Sequence, residues 1–506
     1  MTNSYPKSTP IADICLLLEG TYPYVLGGVS SWVHDLIQAQ APKTFALVSI
    51  VPDDSPRKPV FQVPANVVAW THISLKTLPD AQYRTQGTDN LPQRLAPALN
   101  DMLQGGGLAE FFEVLRILTP FRGQLGQAVL LDSPAAWQAL MEMYGNGYDH
   151  TSFIDYFWTW RALLTGFYAT ALADLPPAKC YHAISTGYAG LLAARATIET
   201  GRPALLTEHG IYTNERRIEI SLADWLHDPG SLSLGAEVQL KGLKALWISA
   251  FSAYARITYE GCEAITTLYR GNQDMQRRDG APAERLTIIP NGVNYARFSA
   301  LPRAPAERPT IALIGRVVPI KDIKTFIRTA AILRQDIPAL RALIMGPDDE
   351  DPDYAKECRA LVQHLNVQDT VHLTGRVKLD DYLPQIDVNV LTSVSEAQPL
   401  VVLEAGAAGV PSVSTDVGCC RELILGNPDE RPHFGPGGAI VPVASPIATA
   451  SALKTLLQDR DALIRAGRAL QARVKAHYNK PDIDRRYAEL YDRALAQQSE
   501  PILLAG

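Results

Sequence analysis

The stretch that most restricts what this chain can fold into is LTSVSEAQPLVVLEAGAAGVPSVSTDVGCCREL, residues 391–423. It reads as the end of an apolar strand (Val388 to Leu391), a polar turn, a helix and a second short strand (Val410 to Ser414). The helix is expected from about Pro399, because the missing N–H of proline costs nothing in a first turn. Leu400 to Ala408 are apolar apart from Glu404, and Gly409-Val410-Pro411 stops the helix. A strand–turn–helix unit of this kind points backbone N–H groups into the crevice at the carboxyl end of a sheet, where phosphates bind. Two glutamates bracket that entry, Glu396 in the turn and Glu404 on the helix, with seven residues between them. A phosphate would repel a carboxylate in the turn, so Glu396 suits neighbouring hydroxyl groups. One turn into the helix, Glu404 is placed to take a ribose.

Acidic pairs occur at any spacing, and it is the whole context that carries a resemblance. Glu-x(7)-Glu, then A-x-A-x-G-x-P-x-V, then a glycine turn with Arg421-Glu422, resembles the retaining nucleotide-sugar glycosyltransferases of family four. Near the other end, EGTYPYVLGGVSSWVH (residues 19–34) resembles the cytoplasmic Pel-type exopolysaccharide glycosyltransferases. The resemblance implies an α/β chain of the GT-B fold, two doubly wound Rossmann-like domains facing across a cleft. The expected parts are an acceptor-side domain over 1–300, a nucleotide-sugar domain over 301–480, and a helix over 481–506 that crosses back to the first domain. A helical insertion is expected at about 80–175, where only the Pel-type resemblance extends.

Composition excludes several other classes. With 506 residues and 47% hydrophobic content there is ample material for more than one packed core. Net charge is −6 and charged residues are 20%, which gives no sign of nucleic-acid binding. Six scattered cysteines without a C-x-x-C fit reduced buried thiols better than disulfides or zinc. No signal peptide is expected from MTNSYPKSTPIADI, and no apolar run reaches the roughly 18 residues of a membrane span. The expected location is cytoplasmic. No Walker A sequence and no G-x-G-x-x-G occurs, so ATPase and dehydrogenase readings lack their phosphate loops.

Along the chain, Ile11 to Leu18 is a first strand, and Gly27-Gly28 precedes a helix from about Val29 to Gln38. Glycines there let a ligand approach the backbone and expose N–H groups. Strands follow at Phe45 to Val51 and Val67 to His72, and then a mostly helical stretch from Ala81 to Leu175 broken by Gly105-Gly106-Gly107. Its aromatics, Phe111, Phe112, Phe153, Tyr156, Phe157, Trp158 and Trp160, are core or an acceptor or partner surface. Cys180 to Ile184 and Leu205 to Thr207 are strands, and His209 stands just past the second, beside Gly210. Residues 218–262 look helical, Ala264 to Leu268 is a strand, and Tyr269-Arg270-Gly271-Asn272 is expected as a turn. A Pro/Ala-rich linker falls at 301–309. Ile311 to Ile314 is a strand with Arg316 at its carboxyl end and Lys321 at the next helix start, two cations well placed for a pyrophosphate. The acidic run GPDDEDPDY (residues 346–354) is expected as a solvated loop.

The resemblance implies roles for these positions. His209 contacts the donor sugar, and Arg376 and Val377 lie where the nucleotide base is held. The implied catalytic set is His209, Glu396, Arg316 and Lys321. The donor-binding set is Gly27, Gly28, Arg316, Lys321, Arg376, Val377, Gln398, Pro399, Leu400 and Glu404. Implied too are a UDP-sugar donor, UDP-glucose above all, no cofactor or bound metal, a polysaccharide acceptor and an inner-membrane synthase complex as partner. Many family members have an aromatic–glycine pair where this chain has Gln398-Pro399, and glycine where it has Cys419, which bears on the sugar pocket. Two other readings stay open: a transferase extending a lipid-linked or lipopolysaccharide sugar, and a nucleotide-sugar-binding subunit without turnover.

Overall fold

The computed structural model describes residues 10–20, 22–79, 87–222, 242–302 and 308–497. Parts of the expected helical stretches near 81 and 223 and of the linker at 301–309 lie outside them. The chain divides into two units. Met1–Thr267, Asn272–Ile288 and Tyr487–Gly506 form the first, and Leu268–Gly271 and Ile289–Arg486 the second.

The first unit is built on seven strands: β1 (Ala12–Glu19), β2 (Phe45–Val51), β3 (Val67–Ser74), β4 (Ala178–Ala183), β5 (Ala204–Glu208), β6 (Ala264–Thr267) and β7 (Leu286–Ile288). All pair in parallel, in the order β3-β2-β1-β4-β5-β6-β7. Every residue of β2 and β5 is buried. A parallel sheet covered by helices on both faces demands this, which is why β2 reads as a nearly continuous apolar run, FALVSIV. Sequence order reverses between β1 and β4, so the loops leaving these strands part to opposite faces and leave a crevice at their carboxyl ends.

Between β3 and β4 the chain is helical at Leu91–Leu103, Leu108–Leu118, Pro134–Gly145 and Phe153–Leu172. The three-glycine break is enforced by packing. A Cβ on Gly106 would lie 2.8 Å from Met102 Cα and 2.9 Å from the Asp101 carbonyl oxygen, both backbone atoms of the preceding helix. Most of the aromatics noted in the sequence are core: Phe111, Tyr156 and Trp160 are buried, and Phe112, Phe153 and Phe157 pack against the same cluster. Trp158 is the exception, at 61% exposed. The turn expected at 269–272 is instead the start of a helix, Arg270–Arg278. That polar sequence carries little apolar signal. Tertiary hydrogen bonds decide it, from Asn272 to Thr267 (2.9 Å) and from Gln276 to Glu208 (2.9 Å).

The second unit has six parallel strands: β8 (Thr310–Ile314), β9 (Arg341–Met345), β10 (Val371–Gly375), β11 (Val388–Leu391), β12 (Ser412–Thr415) and β13 (Gly438–Val441). Their order is β10-β9-β8-β11-β12-β13, so sequence order reverses between β8 and β11. The last helix, Lys480–Ala496, belongs to the first unit from Tyr487 onward, where the Tyr491 hydroxyl meets His182 Nδ1 at 2.7 Å. Among the described residues no helix is long and apolar enough to cross a membrane.

Candidate active site

In the second unit the residues singled out from the sequence gather where the strand order reverses. Leaving β8, the chain makes a short turn over Pro319–Lys321 before the helix Ile323–Leu333, which Asp322 caps by accepting from the Thr325 N–H at 3.2 Å. Leaving β11, the segment 392–398 runs back alongside it. The Thr392 hydroxyl donates to the carbonyls of Lys321 (2.9 Å) and Asp322 (3.0 Å), and the Val394 N–H to that of Ile320 (2.9 Å). The turn after β12 closes on the same segment through Thr415 Oγ1 to Ser393 O (2.7 Å) and Cys419 N to Ala397 O (2.9 Å). Gly418, at φ 53°, is required there, because a Cβ would strike the carbonyl oxygens of Glu396 and Ala397.

Those backbone ties bring Lys321 and Glu396 together. The Lys321 ammonium is ion-paired with Glu396 Oε1, which also accepts from the Ser393 hydroxyl at 2.7 Å. Both side chains are mostly shielded, at 19% and 14% exposed. Arg316, at the end of β8, is half exposed and ion-paired with Glu350. The acidic run expected as a solvated loop is therefore partly engaged. Glu350 holds Arg316, Asp348 pairs with Arg359, and Asp351 caps the helix Pro352–His364.

The helix Leu400–Ala407 starts at Pro399 with no side-chain cap. Its first N–H groups are thereby left for solvent or a ligand. Glu404 is partly buried on this helix, and its carboxyl has no hydrogen-bond partner among the described residues. Burial pushes its pKa up to about 7, against the pull of Arg297 and with a smaller push from Asp380. Arg297 is itself held by Asp380 through two bonds, 3.1 and 2.8 Å. Gln398 is buried, and its Oε1 accepts from the Asn291 N–H at 2.6 Å. The amide nitrogen of Gln398 and the side-chain oxygen of Asn291 are both buried without partners. Leu400 packs partly on the core, as does Val377, which with exposed Arg376 follows the edge strand β10, two strands from β8.

In the first unit, Gly27 caps the helix Gly28–Ala39 without a side-chain bond, and a Cβ on Gly27 or Gly28 would meet nothing within 4 Å. These glycines border open space, not a tight contact. At the end of β1, Glu19 accepts from the Tyr212 hydroxyl (2.5 Å), the Ser185 hydroxyl (3.3 Å) and the Ala189 N–H (3.4 Å). His209 follows β5 and packs its ring edge-on to Trp32, with centroids 4.5 Å apart. The residue keeps partial exposure, yet both ring nitrogens are buried and unpartnered. Burial lowers its pKa to about 4, so the ring is neutral, with one donor and one acceptor unused. Beside it, fully buried Glu208 accepts from Gln276 (2.9 Å), Tyr259 (2.8 Å) and Thr186 (3.2 Å). From the sequence Glu208 has no assigned role, Asn291 reads only as part of the turn 290–293, and Glu350 and Trp32 are not singled out. Nothing local marks them, since their partners are far away in sequence.

Two parallel six- and seven-stranded sheets with their polar loops at the strand order reversals are the architecture of the GT-B glycosyltransferases. Among solved structures of this class, HepE of Anabaena in complex with UDP matches 95% of this chain and 100% of its own at 14% identity and a TM-score of 0.56. The sucrose-phosphate synthase of Thermosynechococcus elongatus matches 96% and 99% at 18% identity and a TM-score of 0.57. Among curated relatives, the D-inositol 3-phosphate glycosyltransferase of Kineococcus radiotolerans is 31% identical over 213 residues, 37% of this chain and 48% of the relative. A GDP-mannose-dependent alpha-(1-6)-phosphatidylinositol monomannoside mannosyltransferase of Mycobacterium tuberculosis is 28% identical over 239 residues, 43% and 59%. The chain spans about half the length of the curated relatives it matches. It belongs to the family described as Domain of unknown function (DUF3492), whose model matches residues 12–284, and residues 308–459 match the model for Glycosyl transferases group 1.

Proposed function

We propose that this chain is a retaining hexosyltransferase that draws its sugar from a UDP-sugar, UDP-glucose first among them, and adds it to a growing exopolysaccharide of the Pel type. The observation that carries the reading is the Lys321–Glu396 pair at the β8/β11 reversal, with the uncapped helix start at Leu400 and unpartnered Glu404 beyond it. When a nucleoside diphosphate leaves an anomeric carbon, negative charge grows on the phosphate and positive charge on the sugar. Arg316, Lys321 and the helix N–H groups supply fixed positive potential for the former. Glu396 orients sugar hydroxyls, and Glu404 accepts from the ribose. His209 serves the transfer step with a neutral ring. No carboxylate is assigned as a covalent nucleophile, so attack from the face of the departing phosphate accounts for retention, with no metal required. The motif at residues 19–34 supports the Pel-type acceptor, a cytoplasmic location and a partner complex at the inner membrane.

The test is incubation of the full chain with UDP-glucose, other UDP-sugars and GDP-mannose, following nucleoside diphosphate release with and without glycan acceptor, and the anomeric configuration of the product by NMR. Acceptor-stimulated UDP release with retained configuration is expected. Preference for GDP-mannose would overturn the donor assignment, inverted product would overturn the mechanism, and binding without turnover would make the chain a nucleotide-sugar-binding subunit.

A further inference from the structure

The helix Arg270–Arg278 buries three amides, Asn272, Gln273 and Gln276, at 3%, 8% and 0% exposed. Buried amides cost stability unless they are hydrogen-bonded, and an apolar helix could pack there without that cost. Two of the three are spent on one dipeptide, Glu208-His209, at the carboxyl end of β5. Gln276 donates to Glu208 Oε2 at 2.9 Å. Asn272, one turn earlier on the same face of the helix, donates to the main-chain oxygen of His209 at 3.2 Å. Its amide also donates to Thr267 Oγ1 (2.9 Å), and that hydroxyl donates to the main-chain oxygen of Glu208 (2.9 Å). Side chains therefore pin both carbonyls of the dipeptide.

The Glu208 carboxylate ties that dipeptide to four separate elements. It accepts from Thr186 in the turn after β4 (3.2 Å) and from the Tyr212 N–H where the next helix starts (3.5 Å). Tyr259 of the helix Leu243–Gly261 (2.8 Å) and Gln276 complete the set. Gln276 keeps this orientation although its own side-chain oxygen is left buried and unpartnered, so its bond to the carboxylate outweighs the one it forgoes. His209 is held in the opposite way. Its main chain is fixed and its ring packs edge-on to Trp32, while both ring nitrogens stay unpartnered. A ring held through its neighbour and its backbone keeps one donor and one acceptor for a substrate. We propose that Glu208 is the positioning residue for His209, bracing the end of β5 against four elements so that the ring is aimed without spending its nitrogens. This rests on the reading of His209 in the transfer step, and it adds what fixes the ring there. Misplacement on the order of 1 Å at a reacting centre costs on the order of a hundredfold in rate, so the brace bears on turnover and not on nucleotide affinity.

The test is a double-mutant cycle on the full chain, with wild type, Glu208→Gln, His209→Ala and the double variant. UDP release from UDP-glucose is followed at about pH 8, where the Glu208 carboxyl is ionised. Glu208→Gln keeps the size of the side chain and replaces one accepting oxygen by an NH2 group that cannot accept. It should lower kcat about ten- to a hundredfold and leave the UDP-glucose KM and the UDP affinity within about twofold. Added to His209→Ala, the same change should alter kcat by less than about twofold, because the ring it acts through is gone. A Glu208 that only stabilises the fold would cost the same factor in both backgrounds. Rates are taken per folded molecule, with circular dichroism and melting temperature as the check. If Glu208→Gln does not fold, Asn272→Ala takes its place in the cycle, with a several-fold loss in the wild-type background and none in the His209→Ala background. Losses that multiply in the double variant overturn the proposal, as does wild-type kcat in a folded Glu208→Gln. If His209→Ala itself transfers as the wild type does, the transfer-step reading of His209 falls, and the positioning role falls with it.

Discussion

Glu404 offers the sharpest test of the nucleotide site, because its protonation must change when the proposed ligand arrives. In the free protein, burial raises its pKa to about 7, against the pull of Arg297 and with Asp380 adding to the rise. Ribose hydroxyls donate, so they favour the ionised carboxylate, and binding must draw on that form. With a free-state pKa of about 7, the fraction available at pH 6 is about one in eleven, which weakens UDP about tenfold, or ~1.4 kcal/mol. At pH 8 the loss is only about a tenth. Affinity should therefore rise between pH 6 and 8 and then level off, with proton release on binding near pH 6. The terminal phosphate of UDP also titrates, at about 6, so Glu404→Gln is the control. An amide keeps the shape and loses the charge-assisted bonds, worth about 1.5 to 3 kcal/mol against about 0.5 to 1.5 for neutral ones. The variant should bind UDP roughly tenfold more weakly at pH 8 and approach wild type at pH 6. Calorimetry at pH 5.5–8.5 in two buffers of different ionisation enthalpy measures both affinity and proton release. Identical pH profiles for wild type and Glu404→Gln would refute the ribose assignment.

Other outcomes follow from the same contacts. Lys321→Ala should weaken UDP at least about tenfold; wild-type affinity by calorimetry would remove it from the pyrophosphate site. Glu350→Ala frees Arg316 from its exposed ion pair, and because such pairs are worth about 0 to 1 kcal/mol, UDP should bind up to about fivefold more tightly; weaker binding would mean that Glu350 orients Arg316 instead of competing for it. His209→Ala should cut turnover and leave UDP affinity within a few fold, and unimpaired transfer by a folded variant would return the residue to packing against Trp32. Glu208, whose pKa burial lifts to about 7 against bonds from Gln276, Tyr259, Tyr212 and Thr186, binds a proton more readily folded than unfolded. Stability should thus fall as pH rises through about 7, and Glu208→Gln should flatten the melting temperature between pH 6 and 8.5; an unchanged slope would place the titration elsewhere.

What the sequence shows of this molecule depends on how local the cause is. Most strands of both sheets are legible because double coverage leaves them mainly apolar, as in FALVSIV and TIALI. The helix at Leu400 is legible because proline and glycine mark its ends. Arg316 could be placed at a strand end, but its pairing with Glu350 could not be read, since a run of acids in a loop has the same composition whether solvated or engaged. The helix Arg270–Arg278 was hidden for the opposite reason. Its stabilising partners, Thr267 and Glu208, are supplied by strands, while its own sequence is polar and contains glycine.

The two units repeat one topology and differ in the charge they place at equivalent points. Each has a carboxylate at a reversal of strand order, Glu19 at β1/β4 and Glu396 at β8/β11. Glu396 is met directly by an ammonium. Glu19 is met by hydroxyls and an N–H, with Arg216 stacked 4.8 Å from the centroid of the Tyr212 ring instead of on the carboxylate. An anion entering the second reversal can take Lys321 as Glu396 turns to hydroxyls, so the cation and the acid are both useful to a charged ligand with a sugar attached. At the first, the Glu19 carboxylate is already satisfied by neutral donors, and the cation in its field, Arg216, is paired with Glu219. The first reversal is thus the less suited of the two to an anion.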